Sequence, residues 1–456
     1  MKRSLWIRST LPLLALALVA CRQQPIAAVT EIDAGGEFQI EPYAPGTCEF
    51  DYRSQVTRLN ERTGEVQWQI EVPWSWATRG AGALQDDTFA FNTEHGAGAV
   101  DLDDGSPLWQ ITDRNHFYAL ASTASALVTK VASENDSTLI SREIRSGEPR
   151  WSRELDADTN PWFALISNVA IVNEHGKLVA TDVDSGTEVW SLATNGDHSF
   201  APVAVGDYLF HPAFEDGLYR IDPETGGMIW HWEPFAGAAV EDLITVVGDN
   251  VLFRTVGAWL GDDDEPPPSA DQVVAVGLDS GEMLWSTSSR FATQGGDDYP
   301  GELRAGSTVV AIQGQEQLTT VDVGSGEALW TVDGPFFGSL AVEDTADFVF
   351  IAPGSYDTDG SVNAFAKQSG VEAWSLSVPQ GQVTLRVDPE LGLLVGQSIG
   401  NEAPNETPGG ALYVVDPVTG EIRWERLFRD GVDVESVHRV EGSLIVRSAD
   451  PTIFCD

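Results

Sequence analysis

Cysteine is almost missing: the 456-residue chain has three, at positions 21, 48 and 455. That excludes a dense disulfide framework, a Cys-x-x-Cys redox pair and a Cys-x-x-Cys-His haem attachment. Histidine is also sparse, with seven residues dispersed from His95 to His438 and no metal-ligand spacing among them. Positive charge is scarce, 26 Lys and Arg against 70 Asp and Glu, and a net charge of −44 repels a phosphate backbone. Nonspecific nucleic-acid binding is thereby excluded. No apolar run is long enough for a permanent membrane-spanning helix, and no sustained helical period follows the first twenty residues. Gly-x-Ser-x-Gly, Walker A and His-Glu-x-x-His motifs are absent, so no catalytic residue is nominated.

What is present is enough for a core: 42% of residues are hydrophobic and 9% aromatic. The first twenty residues carry Lys2, Arg3 and Arg8, no acid, and an apolar run from Leu11 to Ala20. This reads as a signal peptide over residues 1–20. It ends in Leu18-Val19-Ala20-Cys21, which resembles a bacterial lipobox in which Cys21 receives the lipid. An ordinary secretory signal with an incidental cysteine is the alternative. Residues 21–47, with Pro25, Gly35, Gly36, Pro42, Pro45 and Gly46, read as a flexible tether, and residues 48–456 as one folded domain. The folded part is strongly anionic, so a lipid rather than a basic patch would hold it to a bilayer. An extracytoplasmic setting permits a Cys48–Cys455 disulfide joining the two ends; two free thiols are the alternative.

From residue 60 onward Gly-x-x-x-Trp recurs nine times: Gly64/Trp68, Gly105/Trp109, Gly147/Trp151, Gly186/Trp190, Gly226/Trp230, Gly281/Trp285, Gly326/Trp330, Gly370/Trp374 and Gly420/Trp424. Successive tryptophans lie 39 to 55 residues apart, the period of a small four-stranded sheet. Around each motif, alternating stretches rich in β-formers are separated by turns of the type Asp-x-x-[Ser/Thr]-Gly, as at Asp182–Gly186 and Asp416–Gly420. The Asp or Ser/Thr side chain can bond the turn backbone, and Gly can take the positive φ of a bulged hairpin. One large ring per sheet suits the wedge between neighbouring sheets, and radial closure removes long exposed edges. The chain is read as all-β.

These residues resemble the PQQ-type β-propeller repeat, Ala-x-Asp-x-x-[Thr/Ser]-Gly-x-x-x-Trp, over about residues 50–456. The third copy departs from it at Arg145-Ser146 and the eighth at Lys367-Gln368-Ser369. The resemblance implies a single propeller of four-stranded blades. Family habit gives eight blades and the raw motif count gives nine, the ninth by fusing a half-blade at each end of the repeat region. With its lipobox, the chain resembles the propeller lipoproteins of outer-membrane β-barrel assembly. That resemblance implies a noncatalytic binding or scaffolding module for envelope proteins, anchored by lipid on the extracytoplasmic side of a bacterial membrane, monomeric and without a cofactor.

Two alternatives stand beside it. A PQQ-dependent dehydrogenase of the same repeat family characteristically has an adjacent-cysteine disulfide over its quinone, and no adjacent pair exists here. A Ca2+-dependent adhesion module would draw on carboxylate-rich loops, although no segment has full EF-hand spacing. Long insertions fall on the face formed by the loops between strands two and three and between successive blades. They supply a candidate interaction face of Trp74, Trp76, Trp259, Tyr299 and Tyr356 among Asp262, Asp263, Asp264, Asp297, Asp298, Asp357 and Asp359. Simple solvation of a surface would explain the acids equally well.

Overall fold

The computed structural model describes residues 30–31, 49–50, 53–450 and 453–454, except 74–81, 94–95, 113–116, 124, 133–136, 156–162, 175, 195–200, 214–215, 236–237, 258–271, 289–302, 314–316, 335–337, 345–346, 354–359, 379–381, 399–409 and 429–432. Every regular element among them is a strand. Eight antiparallel four-stranded sheets follow in chain order over residues 82–112, 117–155, 164–193, 203–232, 238–288, 303–333, 338–378 and 382–427. In the ninth, Asp433–Val440 and Ser443–Asp450 pair with Arg53–Asn60 and Val66–Pro73. These are blades 1 to 9, with strands A to D in order of pairing. The structure has the nine blades of the motif count rather than the eight of family habit, because the two terminal half-blades pair with each other.

Strands A of successive blades pack side by side, as Gly338–Glu343 does against Gln382–Asp388, which puts A at the axis and D at the rim. The turns between A and B and between C and D share one face. There the amides of Leu102, Val183, Leu278 and Val323 donate to the carbonyls of Asp87, Asn168, Asp249 and Thr308. The loops between B and C and between blades occupy the other face.

Each C–D turn is built by its own short polar residues. Asp182 accepts from the Ser185 amide and hydroxyl, both at 2.7 Å, while the Gly186 amide returns to the Asp182 carbonyl at 2.9 Å and Gly186 takes φ 72°. In the third copy Glu143 performs the Asp task, accepting from the Arg145 amide at 3.1 Å. In the eighth, Ala366 has no such side chain; the Gly370 amide returns to the Ala366 carbonyl at 2.9 Å and the Ser369 hydroxyl accepts from the Val371 amide at 3.4 Å. A register shift accompanies the C–D turn in every blade: Ala180 pairs with Trp190 and Thr181 with Glu188, leaving Val189 of strand D as a bulge just before the tryptophan.

The nine seams share one joint. The indole nitrogen of each repeat tryptophan donates to a turn carbonyl of the following blade: Trp68 to Leu102 (2.8 Å), Trp109 to Ile144 (2.8 Å), Trp151 to Val183 (2.7 Å), Trp190 to Pro223 (2.8 Å), Trp230 to Leu278 (2.7 Å), Trp285 to Val323 (2.8 Å), Trp330 to Lys367 (2.6 Å), Trp374 to Pro417 (3.1 Å) and Trp424 to Glu61 (2.9 Å). The last bond closes the circle. Between the joints, apolar side chains of facing blades interdigitate, as Phe350, Val362 and Ala364 of blade 7 do with Leu385, Leu393 and Val395 of blade 8. Burying one indole supplies about 4–6 kcal/mol of transfer free energy, so the periodic rings are a principal source of cohesion.

Candidate interaction surface

The aromatic and acidic residues expected to form an interaction face, Trp74, Trp76, Trp259, Asp262, Asp263, Asp264, Asp297, Asp298, Tyr299, Tyr356, Asp357 and Asp359, lie outside the described residues. So do Cys21, Cys48 and Cys455. The strands that carry those loops are described. Asn250–Gly257 and Gln272–Gly277 of blade 5 flank the 258–271 segment, and Gly392–Ser398 and Ala411–Val415 of blade 8 flank 399–409. Both insertions therefore leave from B–C ends, on the loop-bearing face.

Just beneath that face lies a polar layer that the repeat motif did not reveal. Asn92, Lys130, Asn173, Arg254, Gln313 and Arg447 occupy the same register position near the loop-bearing end of strand B in blades 1, 2, 3, 5, 6 and 9, and all six are buried. Burial pulls the Lys130 ammonium down to about 8, against the opposing charge of Glu174 in the next blade. Aligning the nine strand-B segments on their turns would have exposed this column, since a polar residue recurs at one position in six of them.

Blade 4 departs from the pattern. His211 stands across from Tyr219, and Tyr219 across from His231, so three rings form a row over strands B, C and D. Tyr219 and His231 stack at 4.2 Å, the Tyr219 hydroxyl donates to Asp216, and His231 Nε2 bonds the Asp216 carbonyl at 2.6 Å. His211 is fully buried with neither ring nitrogen partnered among the described residues, and burial drops it to about 4. Among the described residues no group of three or more His, Cys, Asp or Glu could hold a metal ion.

The rim has its own features. Thr30–Glu31 adds a fifth strand to the outer edge of blade 1, antiparallel, with Thr30 opposite Gln110 and Glu31 opposite Trp109. Away from this covered edge, Met228 and Ile229 of blade 4 and Met283 and Leu284 of blade 5 expose large apolar side chains on strand D. Between them Trp230 rests on Gly281, where a Cβ would stand 2.7 Å from the ring.

Compared with known proteins, three overlapping stretches, residues 34–191, 174–290 and 269–455, match the family model described as outer membrane protein assembly factor BamB. The chain belongs to that family. Curated relatives are the BamB proteins of Burkholderia pseudomallei, 23% identical over 48% of this chain and 62% of that one, and of Shewanella oneidensis, 24% identical over 46% and 58%. The chain thus spans about three fifths of the length of the curated relatives it matches. Among solved structures, BamB from Moraxella catarrhalis is 16% identical over 72% of this chain and 95% of that one, with a TM-score of 0.45. A structure of the eukaryotic initiation factor, 12% identical, covers 88% of this chain and 98% of its own with a TM-score of 0.55, a likeness of fold alone. No cysteine lies between residues 53 and 450, so the adjacent cysteine pair expected of a quinone dehydrogenase with this repeat has no counterpart there.

Proposed function

We propose that this BamB-family propeller is a noncatalytic scaffold of the bacterial envelope, lipid-anchored through Cys21 on the extracytoplasmic side and binding other envelope proteins through its loop-bearing face. The observation that carries the reading is the family match across residues 34–455, joined to nine blades whose recurring motif residues form the joints between blades. The leader 1–20, the tether 21–47 and the domain 48–456 give that scaffold a membrane attachment and a reach. The loop aromatics offer partners large apolar contact area of the kind enriched at binding hot spots, and the loop acids offer a charged surround.

Membrane fractionation with Cys21→Ser tests the anchor. The native chain should partition with membranes and the variant should be released. Deletion of 258–271 and of 399–409, followed by co-purification from membranes, tests the face. Loss of a partner in either deletion supports it, and unchanged partners in both overturn it. Quinone absorbance gained on reconstitution with PQQ and Ca2+ would overturn the noncatalytic assignment.

A further inference from the structure

Strand D is the outermost of the four blade strands, and where it is left bare such an edge is a template for another chain. Six of the nine are guarded by charge: Glu71 in Val66–Pro73, Arg150, Arg153 and Glu154 in Pro149–Leu155, Glu188 in Glu188–Ala193, Asp333 in Ala328–Asp333, Glu372 in Glu372–Val378, and Arg423, Glu425 and Arg426 in Ile422–Leu427. Three carry no charged residue: Pro107–Thr112, Met228–Trp232 and Met283–Ser288. The first is the edge that Thr30–Glu31 covers, and its Trp109 is 0% exposed. This ring therefore accepts a fifth strand at an uncharged edge.

The other two uncharged edges have no fifth strand among the described residues. They also carry the most exposed apolar pairs on any strand D: Met228 at 56% and Ile229 at 45%, Met283 at 50% and Leu284 at 52%. Both pairs occupy the two positions before the tryptophan, and they flank the single seam where Trp230 bonds Leu278. Two of the chain's three methionines stand here, and methionine adapts its shape to varied apolar partners.

We infer that the outer strands Met228–Trp232 and Met283–Ser288 form a strand-addition site for an extended segment of another polypeptide, uncharged or weakly basic and alternately apolar. Unpaired main-chain groups of either strand D supply the ladder for one segment, and the exposed apolar pair of that strand, Met228 and Ile229 or Met283 and Leu284, receives its apolar side chains. The chain's charge of −44 opposes a second copy at the same edge and favours a neutral or basic segment. The site lies on the rim, so it stands apart from the loop-face reading.

The probe is a fluorescein-labelled, end-capped peptide of alternating Val and Thr with one Lys at each end, titrated in about 0.3 M salt to screen the general field. A control peptide carries two central prolines. Met228→Glu combined with Met283→Glu is the primary variant. Glu188 and Glu372 already occupy that register in blades 3 and 7, so the fold takes Glu there. Ile229→Arg with Leu284→Arg, which copies Arg150 and Arg423, is the second. The native chain should bind the alternating peptide and not the proline peptide, and each double variant should weaken binding by about tenfold or more with unchanged melting temperature. Ala328→Glu in blade 6 should leave binding unaltered. No binding by the native chain, or equal binding by the double variants, overturns the inference. Self-association of the native chain that both double variants abolish also overturns it, by making a second copy the occupant.

Discussion

The indole nitrogen of Trp424 donates to the Glu61 carbonyl at 2.9 Å across 363 residues of sequence, and its ring lies against Gly64. One contact thus joins the two ends of the repeat array. Gly64 has φ 69°, and a Cβ there would stand 2.6 Å from the ring. Gly206 has a similar φ of 58° but open space around it. Gly206→Ala should therefore cost about 1 kcal/mol, the conformational penalty alone, whereas Gly64→Ala adds displacement of the indole and should cost about 2–4 kcal/mol. Denaturant unfolding of the two variants checks the difference, and equal losses would refute a steric role for the joint.

The same closing turn holds an ion cluster. Glu61 stands where other turns place Leu102, Ile144, Val183, Leu278 or Val323, and it accepts from Arg439 Nε at 3.0 Å. Arg439 also lies 3.6 Å from Asp388 and bonds Glu390. Arg439→Met leaves three carboxylates gathered without a cation and should lower the melting temperature, less so at high salt. Adding Glu61→Leu restores the apolar residue of the other turns and should recover part of that loss. A double-mutant cycle by thermal unfolding at low and high salt measures it, and strictly additive effects would show that the pair is uncoupled.

His211 makes stability depend on acid. Folding holds its imidazole at about 4, below its ordinary 6.5, because burial disfavours the cation more than Asp216 favours it. The unfolded chain therefore takes up the proton first. Stability from this residue is complete above about pH 6.5 and declines as pH falls toward 4, by on the order of 2 kcal/mol at pH 5. Its register partners in blades 5 and 6 are Phe253 and Ile312, so His211→Leu keeps an apolar column. The variant should show a smaller drop in melting temperature between pH 7 and pH 5 than the native chain. Identical drops would remove His211 from the acid response.

The ring was legible because its joint is local: Gly, three residues, Trp, with turn chemistry fixed by neighbours in sequence. Period and spacing therefore carried the fold, and the half-blades at residues 53–73 and 433–450 already pointed to nine. The Arg439 and Glu61 pairing was hidden, since nothing local says which distant arginine meets an unusual turn acid. The buried column of Asn92, Lys130 and Arg254 was hidden differently: a polar residue in a strand reads as solvent-facing until blades are superposed. The uncharged rim edges required knowing which strand is outermost, a property of topology rather than of composition.

At the seam of the chain ends, Glu49 pairs with Phe454 and Phe50 with Ile453 in an antiparallel ladder. In the sequence Cys48 immediately precedes Glu49 and Cys455 immediately follows Phe454, although both cysteines lie outside the described residues. A Cys48–Cys455 bond is therefore expected in an oxidising compartment, in place of the loop that would otherwise connect the second and third strands of blade 9. It would close nearly the whole chain and contribute about 4–5 kcal/mol if unstrained, through restriction of the unfolded state. Peptide mapping under non-reducing conditions should recover the linked pair. Reductant should lower the melting temperature of the native chain but not that of Cys455→Ser, which should already melt at the lower value. Quantitative alkylation of both thiols in protein purified from an oxidising compartment, without reductant, would eliminate the bond.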